Sequence, residues 1–578
     1  MTTRREPEPL EETPDLYGAY PRLSPEQIQA LAALGERRET HAGDVLYQAG
    51  DTSCDFFVIL DGKIAIVEGH GTDDERIVAV HGAGRFVGEL GLLTGQPVFL
   101  SAVAREAGAV VCVPTDCLRD LVANDSTLGD LILRALLLRR SILVGLGTGF
   151  RIIGSRFSPD TRRLREFAAR NRLPHRWIDL EQDPAAERLL RALGIGPEDT
   201  PVVILHGSEV LRNPSNQELA RKLGMLQPVE GDVHCDLLVV GAGPAGLAAC
   251  VYGASEGLST IALEGVATGG QAGTSSRIEN YLGFPAGISG AELAERAEIQ
   301  AEKFGARINV SAEATAIEPR ADGYAVTYGD GDTVQARSVV IATGVRYRKL
   351  PIPRLEDFEG ISIYYAATVA EAQMCAGDPV VVIGGGNSAG QATLFLSDYV
   401  PLVHLVVREP DLGQHMSRYL ADRIERMPNV EVHTSTEVRE LLGDTTLEAV
   451  VVEHNATGER DTLKARSMFV FIGAKPHTSW LGGLVDLDEG GYIHTGRDAA
   501  AAVAGNGEGP FHEPLLLETS QPGMFAVGDV RSGSIKRVAT AVGEGSMAVR
   551  LVYEHLVGHR RADRMARQPT QAAAANAG

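Results

Sequence analysis

Between residues 20 and 142 the chain alternates short apolar runs with glycine-containing turns. The run 55–60 (DFFVIL) breaks at Asp61 and Gly62 and resumes at 63–67 (KIAIV), and another apolar run fills 109–113 (AVVCV); runs of this length bounded by turn residues predict strands. Apolar residues then recur at helical spacing over 118–143, through Leu128, Leu131, Leu133, Leu136 and Leu137, so a β-roll closed by a helix is expected. From 150 to 225 the pattern changes to alternating strand and helix: strands at 151–153, 177–180 and 201–205, helices at 159–171 and 185–192, and a turn at His206 and Gly207. That alternation describes a small α/β unit. Past residue 236 two further strand-turn-helix starts stand at Gly241 and Gly384. The stretch 237–255 is uncharged, but Gly241, Gly243, Pro244, Gly246 and Gly253 interrupt it, so it reads as a buried strand plus helix rather than a membrane span. The segments 1–19 and 561–578 read as tails, and 568–578 (QPTQAAAANAG) lacks a core-forming pattern.

Length and charge narrow the classes. At 578 residues the chain should hold about four domains. Lys and Arg total 54 against 76 Asp and Glu, a formal charge of −22, which disfavours nucleic acid or an anionic membrane as partner. The first 20 residues carry charges and prolines without an apolar stretch, so no secretory leader is read and a cytoplasmic protein is expected. The six cysteines, at 54, 112, 117, 235, 250 and 375, form no Cys-x-x-Cys. A disulfide framework, a zinc knuckle and an internal dithiol are therefore excluded, and no metal site is expected. The 65 glycines point to tight turns or phosphate loops.

Two of those glycine groups carry chemistry. In 236–246 a strand (DLLVV) runs into Gly241, Gly243, Pro244, Ala245 and Gly246 and then a helix, and Glu264 ends the next strand. This is the dinucleotide fingerprint in its proper context: Gly241 makes the turn, Gly243 lets the backbone approach a pyrophosphate, Gly246 lets helix and strand close, and Glu264 accepts from ribose hydroxyls. The second unit runs from 379 through Gly384, Gly386, Asn387 and Ser388 to Ala389, the G-x-G-x-x-A variant. Its following strand ends at Arg408 and Glu409; Arg408 suits a 2′-phosphate and Glu409 an unphosphorylated ribose, so NADPH and NADH both stay open, with Arg418 as a further candidate. Two nucleotide units in one chain suggest a flavin fed by a nicotinamide.

At residues 233–560 the chain resembles the thioredoxin reductase family of flavoproteins. The matching stretches are Gly241 to Gly246; Gly269, Gly270 and Gln271; 279–285 (ENYLGFP) with Asn280; Ala342, Thr343 and Gly344; Gly384 to Ala389; and 523–530 (GMFAVGDV) with Gly528 and Asp529. The resemblance implies FAD and NADPH, with NADH as the alternative, and a homodimer. It implies an FAD domain at 233–350 and 475–560 with a nicotinamide domain, 351–474, inserted. It implies Asp529 near the ribityl chain, and it lays Lys536, Arg537, Val538 and Ala539, then a helix start at Gly543 to Gly545, along the isoalloxazine. The family's cysteine pair would fall within 361–369 (ISIYYAATV), where no thiol stands. Cys375 is single and reads as a packed thiol.

Two more modules resemble known families. Residues 148–226 resemble glutaredoxin-like or thioredoxin-fold domains, with Ser158, Pro159, Asp160 and Thr161 where those carry Cys-Pro-x-Cys, and Thr200–Pro201 as the cis pair; Ser158 is expected to cap the helix that Pro159 opens. Residues 20–145 resemble cyclic-nucleotide-binding domains. There Gly88, Glu89 and Leu90 match the phosphate cassette, Glu89 would hold the ribose 2′-hydroxyl, and Val98 stands where the cassette has arginine. The missing charge-assisted pair puts a docking or dimerisation role ahead of nucleotide binding, with Arg85 or Arg105 as substitutes to consider. The fold expected is therefore multidomain: a β-roll with helices, a thioredoxin-like α/β unit, and two Rossmann-like three-layer α/β dinucleotide-binding domains. The activity expected is electron transfer from NAD(P)H through FAD to a small-molecule or protein acceptor, without an internal dithiol. The alternatives are a disulfide reductase using a dithiol supplied in trans, and a non-catalytic redox or nucleotide sensor.

Overall fold

The computed structural model describes residues 10–567 except 16, 53, 73, 193, 228–233, 276, 277, 279, 280, 360, 366, 368 and 501–512. The tail at 568–578 and the candidate Asn280 lie outside the described residues. The chain divides into two compact units, residues 1–228 with 308–312 and residues 229–307 with 313–578.

In the first unit a six-stranded antiparallel sheet has the core order Glu36–Thr40, Ser101–Val113, Phe56–Glu68, Arg76–His81. Its interior is filled by side chains including Phe57, Ile64, Val98, Ala102 and Val110, and burying each of the larger ones stabilises the roll by roughly 1.5–3 kcal/mol. The single helix expected over 118–143 is two helices, Thr115–Asn124 and Ser126–Gly145. Asp125 between them is extended, and its carboxylate accepts from the N–H groups of Thr127 and Leu128, both at 2.9 Å, so a side-chain cap starts the second helix where the apolar spacing alone reads straight through. A short helix, Pro25–Ala32, with a capping box at Ser24, precedes the roll.

The same unit holds a four-stranded sheet ordered Glu209–Arg212, Val202–Leu205, Phe150–Gly154, His175–Asp179, in which only the last pair is parallel. Ser158 accepts from the Thr161 N–H at 3.3 Å and Pro159 opens the helix Pro159–Arg170. The Thr200–Pro201 bond is cis.

In the second unit His234–Val240 runs between two parallel neighbours, Thr260–Glu264 and Asp332–Ile341, and Met524–Ala526 continues the parallel set beyond Asp332–Ile341. A separate five-stranded parallel sheet has the order Ile363–Tyr364, Ser467–Val470, Val380–Ile383, Val403–Val406, Val430–His433. Val380–Ile383 is buried at every position, as a parallel strand covered on both faces must be, and the sequence accordingly reads as an unbroken apolar run. The chain passes between the two sheets through an antiparallel ribbon, Val345–Tyr347 against Ala474–Pro476. Among the described residues no helix is long and apolar enough to cross a membrane.

Candidate functional site

The first glycine turn leaves the central strand at its C-terminal end, where open α/β sheets bind ligands. Gly241 has φ +102°, and a Cβ on it would stand 2.4 Å from the Ala342 carbonyl oxygen; one on Gly246 would stand 1.8 Å from that of Gly241. Both positions exclude any side chain. Gly243 differs: the nearest atom to a Cβ there is the Gly270 Cα, at 3.9 Å. Open space thus faces the start of helix Pro244–Ser255, whose N-terminus has no side-chain cap. Uncapped N–H groups facing a cradle that a methyl would enter fit the pyrophosphate of a dinucleotide.

The surrounding residues are fixed by hydrogen bonds. Glu264 accepts from the Ala242 N–H at 2.7 Å and from the Val266 N–H at 2.9 Å, which holds its carboxylate at the turn. Thr343 Oγ1 donates to the His477 carbonyl at 2.8 Å, the His477 N–H returns to Gly344 at 3.1 Å, and Gln271 Nε2 donates to the Val345 carbonyl. The Gly528 N–H donates to Glu544 at 2.7 Å, and the other Glu544 oxygen pairs with Arg531 at 2.6 Å. Burial pushes the neighbouring Asp529 carboxyl up, against the opposing pull of Lys536.

One expectation is corrected here. Gly543 to Gly545 do not start a helix: Val538–Arg567 begins a turn earlier, with Arg537 and Ala539 exposed and Val538 half-buried. Gly545 lies within it because a Cβ there would stand 2.1 Å from the Ala245 carbonyl oxygen, so the glycine serves close packing of this helix on Pro244–Ser255. Glu544, which the sequence reading passed over, lies between those two glycines.

In the second unit's other sheet, Gly384 has φ +138° and a Cβ on it would stand 2.3 Å from the Phe471 carbonyl oxygen, whereas Gly386 has nothing within 4 Å. Gly386 precedes helix Asn387–Leu396, again without a side-chain cap. Asn387 and Ser388 are exposed at its start and Ala389 is buried, so the same cradle is repeated. Arg408 and Arg418 are exposed, and Glu409 is turned inward. On the same sheet His404 Nδ1 lies 3.1 Å from His433 Nε2 and 3.2 Å from Glu431, a convergence of metal-type donors that sequence spacing does not reveal because they come from two strands.

All six cysteines are free. Burial pushes the thiols of Cys54, Cys235 and Cys250 up to about 12 and raises that of Cys375, which is 1 % exposed; such thiols are poor nucleophiles.

In the β-roll, Glu89 is buried and accepts from the Phe99 and Leu100 N–H groups, each at 2.9 Å. Gly88 and Leu90 are buried beside it. The carboxylate thus engages the two amides that follow Val98. Arg85 donates to the Thr13 carbonyl and Arg105 pairs with Glu75, both at 2.6 Å, so both candidate substitutes for the missing cassette arginine are engaged elsewhere.

Residues 235–545 match the family model described as pyridine nucleotide-disulphide oxidoreductase, and residues 37–125 match that of the cyclic nucleotide-binding domain. The chain is 35% identical over 313 residues to thioredoxin reductase of Treponema pallidum, covering 54% of this chain and 94% of that one. It is 32% identical over 323 residues to a 34.2 kDa protein in the rubredoxin operon of Clostridium pasteurianum, covering 56% and 97%. Its fold is similar to the crystal structure of T. acidophilum thioredoxin reductase, with TM-score 0.51 and 30% identity over 56% of this chain and all of that one (100%).

Proposed function

Because the chain belongs to the pyridine nucleotide-disulphide oxidoreductase family and is an FAD-dependent enzyme of its thioredoxin-reductase-like kind, whose members use FAD and NADPH, we propose that it is a dithiol-independent NAD(P)H oxidoreductase. Electrons enter from a nicotinamide dinucleotide and leave to an acceptor outside the chain: a quinone, dioxygen, an iron–sulfur or other electron-transfer protein, or a small molecule. The observation that carries this reading is the thiol inventory. No Cys-x-x-Cys occurs in the sequence, and the nicotinamide-type half contributes only Cys375, which is buried.

When bound, FAD supplies the two-electron carrier. The chain's residues would hold it: the open turn at Gly243 and the uncapped helix behind it would take the pyrophosphate, Glu264 the adenosine ribose, and Asp529, on the Gly528 loop braced by Glu544, the ribityl chain. Orientation, more than side-chain acid–base work, is what such a site contributes.

The module at 148–226 is read as a thiol-free thioredoxin fold, a reading supported by its strand order and its one parallel pair, and the β-roll as a docking module. The test is anaerobic reduction of the flavin by NADPH and by NADH, followed by reoxidation with a panel of acceptors, with and without an added redox-active protein in its disulfide form. Flavin reduced by nicotinamide and reoxidised by an acceptor in the absence of that protein supports the proposal. Reoxidation that requires the disulfide protein, with its disulfide reduced to the dithiol, assigns the electrons to a disulfide substrate in trans and overturns it.

A further inference from the structure

We propose that Glu409 makes this chain select NADH over NADPH; the inference rests on the dinucleotide reading of the Gly384 turn. In a parallel unit of this kind the adenosine ribose lies over the end of the second strand, where an acid binds the 2′-hydroxyl and an arginine accommodates a 2′-phosphate. Val403–Val406 is that strand, paired in register with Val380–Ile383, so residues 407–409 stand beside the glycine turn. Sequence leaves two adjacent and opposite candidates there.

The structure separates them. The Glu409 side chain is 14% exposed and that of Arg408 71%. A Cβ on Gly385 would stand 2.8 Å from Glu409 Oε2, so the carboxylate rests on the turn itself, within the volume that the adenosine ribose would share. The Glu409 carbonyl accepts from the Ser435 N–H at 2.9 Å, which fixes the residue's backbone. Arg408 stands outside and directs its guanidinium to Glu409, with Nη2 3.1 Å and Nε 3.3 Å from Oε1. A 2′-phosphate would therefore meet a carboxylate first and a cation already paired with that carboxylate, whereas a 2′-hydroxyl would find an acceptor.

Arg418 does not restore the balance. The preceding Ser417 N–H donates to Asn387 at 2.6 Å, which ties the start of Arg418–Ile424 to the first turn of the dinucleotide helix. That is the pyrophosphate end, common to both dinucleotides.

The test is equilibrium binding of NAD⁺ and NADP⁺ to the flavin-loaded full-length protein, read by calorimetry so that turnover does not enter. The wild type is expected to bind NAD⁺ at least about tenfold more tightly. Glu409→Ser, which removes the acid and frees Arg408, is expected to tighten NADP⁺ binding at least about tenfold while flavin content and circular dichroism stay unchanged. Equal or tighter NADP⁺ binding by the wild type overturns the inference and leaves the proposed function standing. So does a Glu409→Ser variant that keeps the wild-type ratio. Failure of both dinucleotides to bind overturns the dinucleotide reading itself, and this inference with it.

Discussion

Glu89 accepts the backbone N–H of Phe99 at 2.9 Å, and both residues lie within the stretch 37–125 that matches the cyclic nucleotide-binding domain. A buried carboxylate already neutralises the amide dipoles that would otherwise attract an anion, and Val98 beside it is 1% exposed. Calorimetric titration with cyclic AMP and cyclic GMP at millimolar concentration is therefore expected to give no saturable heat. Glu89→Ala, which orphans two buried N–H groups, should destabilise the roll by about 1–3 kcal/mol, seen as a lower Tm.

The two outer glycines of the first fingerprint differ from the middle one. Gly246→Ala puts a methyl 1.8 Å from the Gly241 carbonyl oxygen, so soluble folded protein should be lost. Gly243→Ala meets nothing closer than 3.9 Å and should fold with unchanged circular dichroism. It is expected to lose most of its flavin, measured as absorbance near the flavin maximum per mole of protein. Full flavin content in Gly243→Ala would remove the pyrophosphate from that cradle.

Glu544 braces the loop that carries Asp529 through Gly528 and Arg531. Glu544→Ala leaves the buried Gly528 N–H without its acceptor and removes the ion-pair partner of Arg531, whose guanidinium keeps its bond to the Ser532 carbonyl. About 1–3 kcal/mol of local stability is at stake, and the expected reading is weaker flavin retention on dialysis. Glu544→Gln, which keeps one acceptor oxygen, should fall between the variant and the wild type.

His81 supplies a pH dependence. It is 1% exposed, its Nδ1 has no hydrogen-bond partner, and burial, with Arg139 and Arg85 nearby, holds its pKa well below 6.5. The unfolded chain takes up the proton that the folded one refuses, so this residue leaves stability intact above about pH 6.5 and lowers it as the pH falls from there toward the folded pKa. Urea unfolding compared at pH 7.5 and pH 5.5 should show a smaller acid loss in His81→Leu than in the wild type; equal losses would exclude His81 as a source.

The glycine turns were legible because three of their residues answer a steric demand that spacing alone encodes: Gly241, Gly246 and Gly384 stand against carbonyl oxygens. What was illegible was direction. Arg408 and Glu409 are adjacent just past a strand end, and only the backbone there decides which side chain meets the turn. Asp125 broke a helix that the leucine spacing carried through, because a capping bond outweighed periodicity. The family resemblance set a helix start at Gly543 to Gly545, yet the close approach of Ala245 selects glycine inside the helix at Gly545. Glu89 stands out in the sequence as an acid in a glycine-flanked stretch, but nothing in the sequence signals that its carboxylate turns onto the Phe99 and Leu100 amides.

The ribbon of Val345–Tyr347 against Ala474–Pro476 joins the two nucleotide-binding sheets by a belt rather than a thread. Halves joined in this way can turn about the belt but cannot drift apart, and a cut in one strand leaves the other holding. A dinucleotide held by one half would therefore meet the other at an effective concentration set by the belt's length, whatever the amount free in solution.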